Sequence, residues 1–179
     1  DITPDQLQAH LARLLPLMAS YERGLLNGVA FYQQVLVHFN LTPSSYPFDD
    51  YRRHWCGALV RSPAMEVLFE QVLAARRVCI LSNTNDLHWM YTAEQFNLIQ
   101  RAEVTLTSYE CGLFKPEPAI YRLALERFEI KDPATALFID DKPENVAAAV
   151  GVGMTASFVH ESEARTRARL EEVGVLSSP

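Results

Sequence analysis

The sequence lacks the marks of several protein classes. No apolar run approaches the roughly 20 residues of a membrane-spanning helix, and no signal-peptide pattern opens the chain. Only three cysteines occur in 179 residues. Cys56, Cys79 and Cys111 are odd in number and spaced without a metal pattern, which disfavours a disulfide framework and a zinc site alike. Cys79 stands in an apolar run and reads as a small buried hydrophobe; a reducing cytoplasm is the expected setting. There is no Walker loop, and Gly151-Val152-Gly153 follows a helical pattern and lacks a third glycine, so it reads as a helix C-cap and turn. His10, His38, His54, His88 and His160 are scattered, with no dyad or metal cluster among them. A basic face is missing too: 16 Lys and Arg stand against 22 Asp and Glu, a net charge of -6. Nucleic-acid binding wants clustered positive charge. Arg165, Arg167 and Arg169 are interleaved with Glu161, Glu163, Glu171 and Glu172, the pattern of a solvated helix face. Neither nucleic acid nor a membrane is an expected partner, and no feature specifies an oligomeric state. The chain begins Asp1-Ile2-Thr3-Pro4 without an initiator methionine, so further residues are expected upstream.

What is present suffices for a buried interior, with 49% of the chain hydrophobic. Residues 1–60 read as helical and contain no convincing strand. Thr3-Pro4-Asp5-Gln6 combines an N-cap, a first-turn proline and a capping-box partner. Leu7, Leu11, Leu14, Leu15 and Met18 follow at helical spacing, and Pro16 is expected to kink or end that helix. A second helix is expected around 29–39, carrying Phe31, Val35, Leu36 and Phe39, and 41–50, punctuated by Pro43 and Pro47, reads as a loop. From Ser62 the pattern changes. Apolar runs at 78–81, 103–108, 136–139 and 156–159 alternate with helical stretches that start at Pro63, near Ile120 and at Pro143, and the tail is helical. That alternation predicts an α/β fold with a parallel sheet.

Open parallel sheets bind ligands beyond the carboxyl ends of their strands, and the polar residues gather there. Ser82-Asn83-Thr84-Asn85-Asp86 follows the first strand, Asp140-Asp141 follows the third, and the loop between them presents Lys115 in Gly112-Leu113-Phe114-Lys115-Pro116-Glu117-Pro118. Each has a structural reading as well: a helix-capping loop, a cap for the Pro143 helix, a surface lysine. Their joint order favours chemistry. Adjacent carboxylates repel, so holding both ionised calls for a cation or strong hydrogen bonds. Mg²⁺ takes one or two carboxylates and completes its octahedron with water and phosphate oxygens. Ser82 and Lys115 would then serve a phosphoryl group.

These residues resemble the haloacid dehalogenase superfamily. Ile80-Leu81-Ser82-Asn83 is similar to its second motif, Phe114-Lys115-Pro116-Glu117-Pro118 to its third, and Phe138-Ile139-Asp140-Asp141-Lys142-Pro143-Glu144-Asn145, running on to Gly153-Met154, to its fourth. Within it, the sequence resembles bacterial sugar-phosphate phosphatases and the N-terminal phosphatase domain of soluble epoxide hydrolases. The resemblance implies a Rossmannoid three-layer α/β/α core with a parallel sheet over 61–179 and a small helical cap over 1–60. In the cap, Tyr21-Glu22-Arg23-Gly24 and His54-Trp55 carry the likeness. It implies a Mg²⁺-dependent phosphatase of a small phosphorylated metabolite. In that scheme Asp141 is the direct metal ligand, supported by Asp140 and Asn145. Ser82 binds phosphate, Lys115 steadies nucleophile and phosphate, and Asn83 serves the substrate side.

The first motif of the family, a strand ending in the nucleophilic aspartate, has no counterpart in 1–179. Asp1 and Asp5 have the wrong spacing and stand in a helix start. The nucleophile is expected upstream of residue 1, on roughly a dozen further residues. The polypeptide as written is then expected to be inactive and to bind Mg²⁺ weakly. Two alternatives stand beside this. A 2-haloacid dehalogenase would need no metal, and the Asp140-Asp141 pair repels its carboxylate substrate. A catalytically inactive binding protein could keep the fold. A phosphorylation receiver places its acidic pair and its lysine in the reverse order.

Overall fold

A computed structural model describes residues 4–177, with the backbone alone at 4–7, 9 and 11. The expected N-cap at Thr3, the Gln6 side chain, the Leu7 and Leu11 side chains and Asp1 lie outside the described residues. In chain order the elements are α1 (Pro4–Glu22), α2 (Gly28–Phe39), α3 (Phe48–Cys56), α4 (Pro63–Ala75), β1 (Cys79–Ser82), α5 (Asp86–Gln95), β2 (Val104–Thr107), α6 (Ser108–Cys111), α7 (Pro118–Arg127), β3 (Ile139–Asp140), α8 (Pro143–Gly151), β4 (Phe158–Val159) and α9 (Glu163–Glu172). They form two compact units. A helical unit comprises residues up to Val60, Asn83–Glu94 and Thr107–Gly112; a sheet unit comprises Arg61–Ser82, Gln95–Leu106 and the chain from Leu113 onward.

The helical unit is organised around aromatic rings. Tyr21, Phe31, Tyr32, Leu36 and Tyr51 are buried together, with Leu17, Met18, Trp55 and Leu87 packed against them. Tyr21 stacks on Phe31 at 4.7 Å and Tyr51 on Trp55 at 6.0 Å between centroids, offset geometries that such rings favour. This packing explains a departure from expectation. α1 runs through Pro16 to Glu22, although an interior proline costs a helix about 3 kcal/mol. Among the described residues, α1 contributes Leu17, Met18 and Tyr21 to the aromatic core, so ending the helix at Pro16 would forfeit their burial. α3 likewise begins inside the stretch expected to be loop. Pro47 stands at its N-cap and Asp49 and Asp50 lie in its first turn, where negative charge complements the helix dipole.

In the sheet unit β1 pairs with β2, and β3 pairs in parallel with β4, placing Ile139 opposite Phe158 and Asp140 opposite Val159. The strands expected over 136–139 and 156–159 are each two residues long. At Ser157 the side chain takes the ladder's place: its hydroxyl accepts from the Phe138 amide at 3.0 Å while donating to the Met154 carbonyl at 2.7 Å. α4 and α9 pack through Leu68 and Leu170, which cluster with Phe158. Ser62 and Ser162 cap these helices, accepting from the Met65 and Arg165 amides. As expected, the tail arginines form an exposed charged face: Arg165 pairs with Glu161, and Arg167 with Glu171 at 3.9 Å. A cleft of about 950 Å³ is lined by residues of β1 and β3, with Leu68, Ile80, Leu125, Phe138 and Ile139 among its apolar residues and Asp140 and Asp141 among its polar ones.

Candidate active site

Chain ends of two strands and one turn place the charged groups. β1 is a short apolar strand that stops at Ser82, and β3 delivers Asp140 and then Asp141 immediately before α8. Lys115 arrives from the turn between α6 and α7. Its Nζ donates to the Leu81 carbonyl at 2.8 Å and to Asp140 Oδ2 at 2.7 Å. One ammonium therefore ties the end of β1 to the end of β3. Both side chains are nearly sealed from solvent, at 10% exposure for Lys115 and 7% for Asp140, and a pair so desolvated holds only when its remaining sites are hydrogen-bonded.

They are. Asp140 Oδ1 accepts from the Lys142 amide at 2.9 Å and from Asn145 Nδ2 at 2.8 Å. Asn145 is 3% exposed, and its carbonyl receives the Tyr121 hydroxyl at 2.8 Å, which locks the first turn of α8 against α7. The Asp140 carbonyl receives the His160 amide at 2.8 Å. Burial by itself would raise the Asp140 pKa. The Lys115 ammonium, the Lys142 amide and the Asn145 amide outweigh it and hold the carboxyl below its ordinary value. Asp140 is thus a fixed anion with both oxygens engaged.

Asp141 differs. It is exposed at the strand end and shares the polar rim of the cleft with Asp140. The donors at this rim are carboxylate oxygens, the hard-ligand chemistry that suits Mg²⁺, which needs few protein ligands when phosphate and water supply the rest. Among the described residues no group of three or more His, Cys, Asp or Glu forms a preassembled cage. The residues fit a metal held jointly with a phosphoryl group better than one held by protein alone.

The sheet unit therefore brings together Ser82, Lys115, Asp140, Asp141 and Asn145. Asn83, the next residue after Ser82, belongs to the helical unit. There the polar run divides. Asn85 is fully buried and caps α5, accepting from the His88 amide at 3.0 Å. Asp86 accepts from the Tyr21 hydroxyl, from the Gly28 amide at 2.9 Å and from the Leu87 amide at 2.7 Å. Sequence reasoning missed Tyr121 and the Leu81 carbonyl as supports of the charged pair; a backbone carbonyl leaves no residue signature. It treated Ser82 to Asp86 as one cluster, with a helix-capping loop as the structural alternative, and capping is the role Asn85 takes.

The description that matches the chain, over residues 33–153, is that of a haloacid dehalogenase-like hydrolase. The bifunctional epoxide hydrolase 2 of Mus musculus is 28% identical, with 66% of this chain and 25% of the mouse protein covered; its Rattus norvegicus counterpart is 27% identical with the same coverage. The chain spans about a quarter of the length of these curated relatives. Among solved structures, an HAD family enzyme from Bacteroides thetaiotaomicron superposes with a TM-score of 0.77 at 26% identity, covering 88% of this chain and 77% of that one. The wild-type form of that enzyme, in complex with magnesium and inorganic phosphate, superposes at 0.72 and 27% identity over 79% and 73% of the two chains.

Proposed function

The chain belongs to the haloacid dehalogenase-like hydrolases, and on that premise we propose that it is a Mg²⁺-dependent phosphatase acting on a small phosphorylated metabolite in the cytoplasm. One observation carries the reading: the Lys115 ammonium is pinned between the Leu81 carbonyl and Asp140 at the strand ends, with Asp141 exposed beside them. A sealed cation next to an exposed carboxylate suits a ligand that is itself anionic and shares a metal. The magnesium and phosphate of the Bacteroides enzyme support the same assignment.

In this scheme Ser82 donates to a phosphoryl oxygen and Lys115 offsets the charge that develops there. Asp141 holds the metal, which supplies Lewis-acid stabilisation of phosphoryl oxygens when bound. Asp140 fixes Lys115, Asn145 fixes Asp140, and Asn83 serves the substrate side. The nucleophile is an aspartate on an apolar strand that precedes residue 1 and lies in the cleft along β1 and β3. The cleft's volume and apolar wall support an extended segment there. The carboxylate oxygen attacks phosphorus while the ester P–O bond breaks and the leaving oxygen takes a proton. Water then hydrolyses the aspartyl-phosphate, regenerating the carboxylate and releasing inorganic phosphate. The paired carboxylates disfavour the 2-haloacid reading, because they repel a carboxylate substrate.

The test is phosphate release by the full-length protein across a panel of phosphoesters, with and without Mg²⁺. Release should require the metal and fall by about a hundredfold or more in Lys115→Ala and Asp141→Asn. Chloride release from a 2-haloacid without metal, and none of phosphate with it, would overturn the proposal.

A further inference from the structure

We propose that the part of α1 before Pro16 is an arm, held on α2 by a proton-sensitive histidine pair and released about that proline in mild acid. The inference goes beyond the phosphatase reading and does not depend on it. No histidine dyad shows in the sequence, where His10 and His38 stand 28 residues apart. The packing of α1 on α2 makes one. His10 Nδ1 lies 2.8 Å from His38 Nε2, so one ring donates and the other must keep its lone pair. Phe39 completes the cluster. His10 stacks on it at 5.0 Å, while His38 stands edge-on to Phe39 at 4.7 Å and to His10 at 5.0 Å.

The arm has a weak point at its root. Pro16 carries no amide hydrogen, so the turn that joins the two halves of α1 lacks a backbone hydrogen bond. After the proline, Leu17, Met18 and Tyr21 are packed in the aromatic core. Before it, Arg13 and Leu15 are exposed. Among the described side chains of the arm, His10 is the one that hydrogen-bonds to α2.

One proton added to the pair can sit between the two nitrogens. A second fills both lone pairs, and two cations then face each other. The charged neighbours of His38 do not offset them: burial, then the His10 ring, then Arg13 of α1 hold its pKa below the ordinary value. α2 has no other ionisable residue. α3 packs on α2 and carries Asp49, Asp50, Arg52, Arg53 and His54, but Asp50 pairs with Arg53 at 3.0 Å and His54 meets the Tyr46 hydroxyl at 3.0 Å. α5 and α6 meet the opposite ends of the two helices. Asp86 is bound at Tyr21 and Gly28, about 15 Å along α2 from His38, and Ser108, in the same short helix as Glu110, reaches the Glu22 carbonyl. The contribution of the pair is therefore present above the ordinary histidine value of about 6.5 and is lost as pH falls through the depressed one.

The experiment follows hydrogen exchange in the full-length protein between about pH 8 and about pH 5, each amide corrected for its intrinsic rate. Protection over residues 8–15 should fall by about tenfold in the wild type as pH drops, while α3 and α8 keep theirs. His38→Phe, which keeps a ring beside Phe39 and takes no proton, should remove that pH dependence. The ring resonances of the wild type give a second reading that needs no variant to fold: His38 should titrate below the ordinary histidine value. Equal pH dependence in wild type and His38→Phe, loss of protection spread over both units, or a His38 ring that titrates at or above its ordinary value would each overturn the proposal.

Discussion

Asp86 in the helical unit and Asp140 in the sheet unit both stand where a strand or loop gives way to a helix, and each accepts three hydrogen bonds. Their donors differ in kind. Asp86 is held by a phenol and two backbone amides, all neutral, so its charge is spread over helix ends and an aromatic core. Asp140 is held by an ammonium as well as by amides, and an exposed carboxylate follows it at the mouth of a cleft. A carboxylate satisfied by neutral donors behaves as a structural staple. One balanced by a lysine keeps a buried cation beside the strand ends.

The largest effect should come from breaking that balance in the sheet unit. Asp140→Ala strands the sealed Lys115 ammonium, and removing one partner of a buried pair costs about 3–5 kcal/mol; urea unfolding would measure it. In the helical unit Tyr21→Phe removes a donor to a carboxylate, for about 1.5–3 kcal/mol. Tyr51→Phe, a ring away, should leave the melting temperature equal or higher, because its buried hydroxyl has no partner among the described residues and deleting an unsatisfied polar group relieves a penalty. Equal losses in the two tyrosine variants would erase the distinction between them.

A subtler contrast is the direction of pH sensitivity. The Asp140 pKa is depressed in the fold, so its contribution is present above the ordinary value of about 4 and is lost as pH falls toward the native one. The Tyr21 pKa is raised, so its contribution is present below about pH 10 and is lost as pH rises through the native value. Stability measured against pH should show Asp140→Ala converging on wild type in acid and Tyr21→Phe converging in strong alkali. Convergence at the same end would contradict the assignment.

Much of the sheet unit was legible because its signals are local. Pro63 and Pro143 opened helices where first-turn prolines are tolerated, and Gly153, at φ +104°, closed the turn after α8. The charged groups that follow β1 and β3 could be named from motif order alone, because that order is local to the chain. The helical unit was harder. α1 does not end at Pro16 and α3 takes in 48–50 because aromatic burial, a sum over residues distant in sequence, overrode local punctuation. The split between Asn83 and Ser82, with Asp86 turned inward, was invisible for the same reason.

The sequence by itself determined the family, the α/β alternation and the identity of the charged groups at the strand ends, because hydrophobic period and motif order act over neighbours in the chain. Only the tertiary structure decided which of those groups are free to meet a ligand. It engaged both oxygens of Asp140, exposed Asp141, drew Lys115 onto a backbone carbonyl and gave Asp86 to two helix ends. A buried polar group must find partners wherever packing brings them, and that assignment is made in three dimensions.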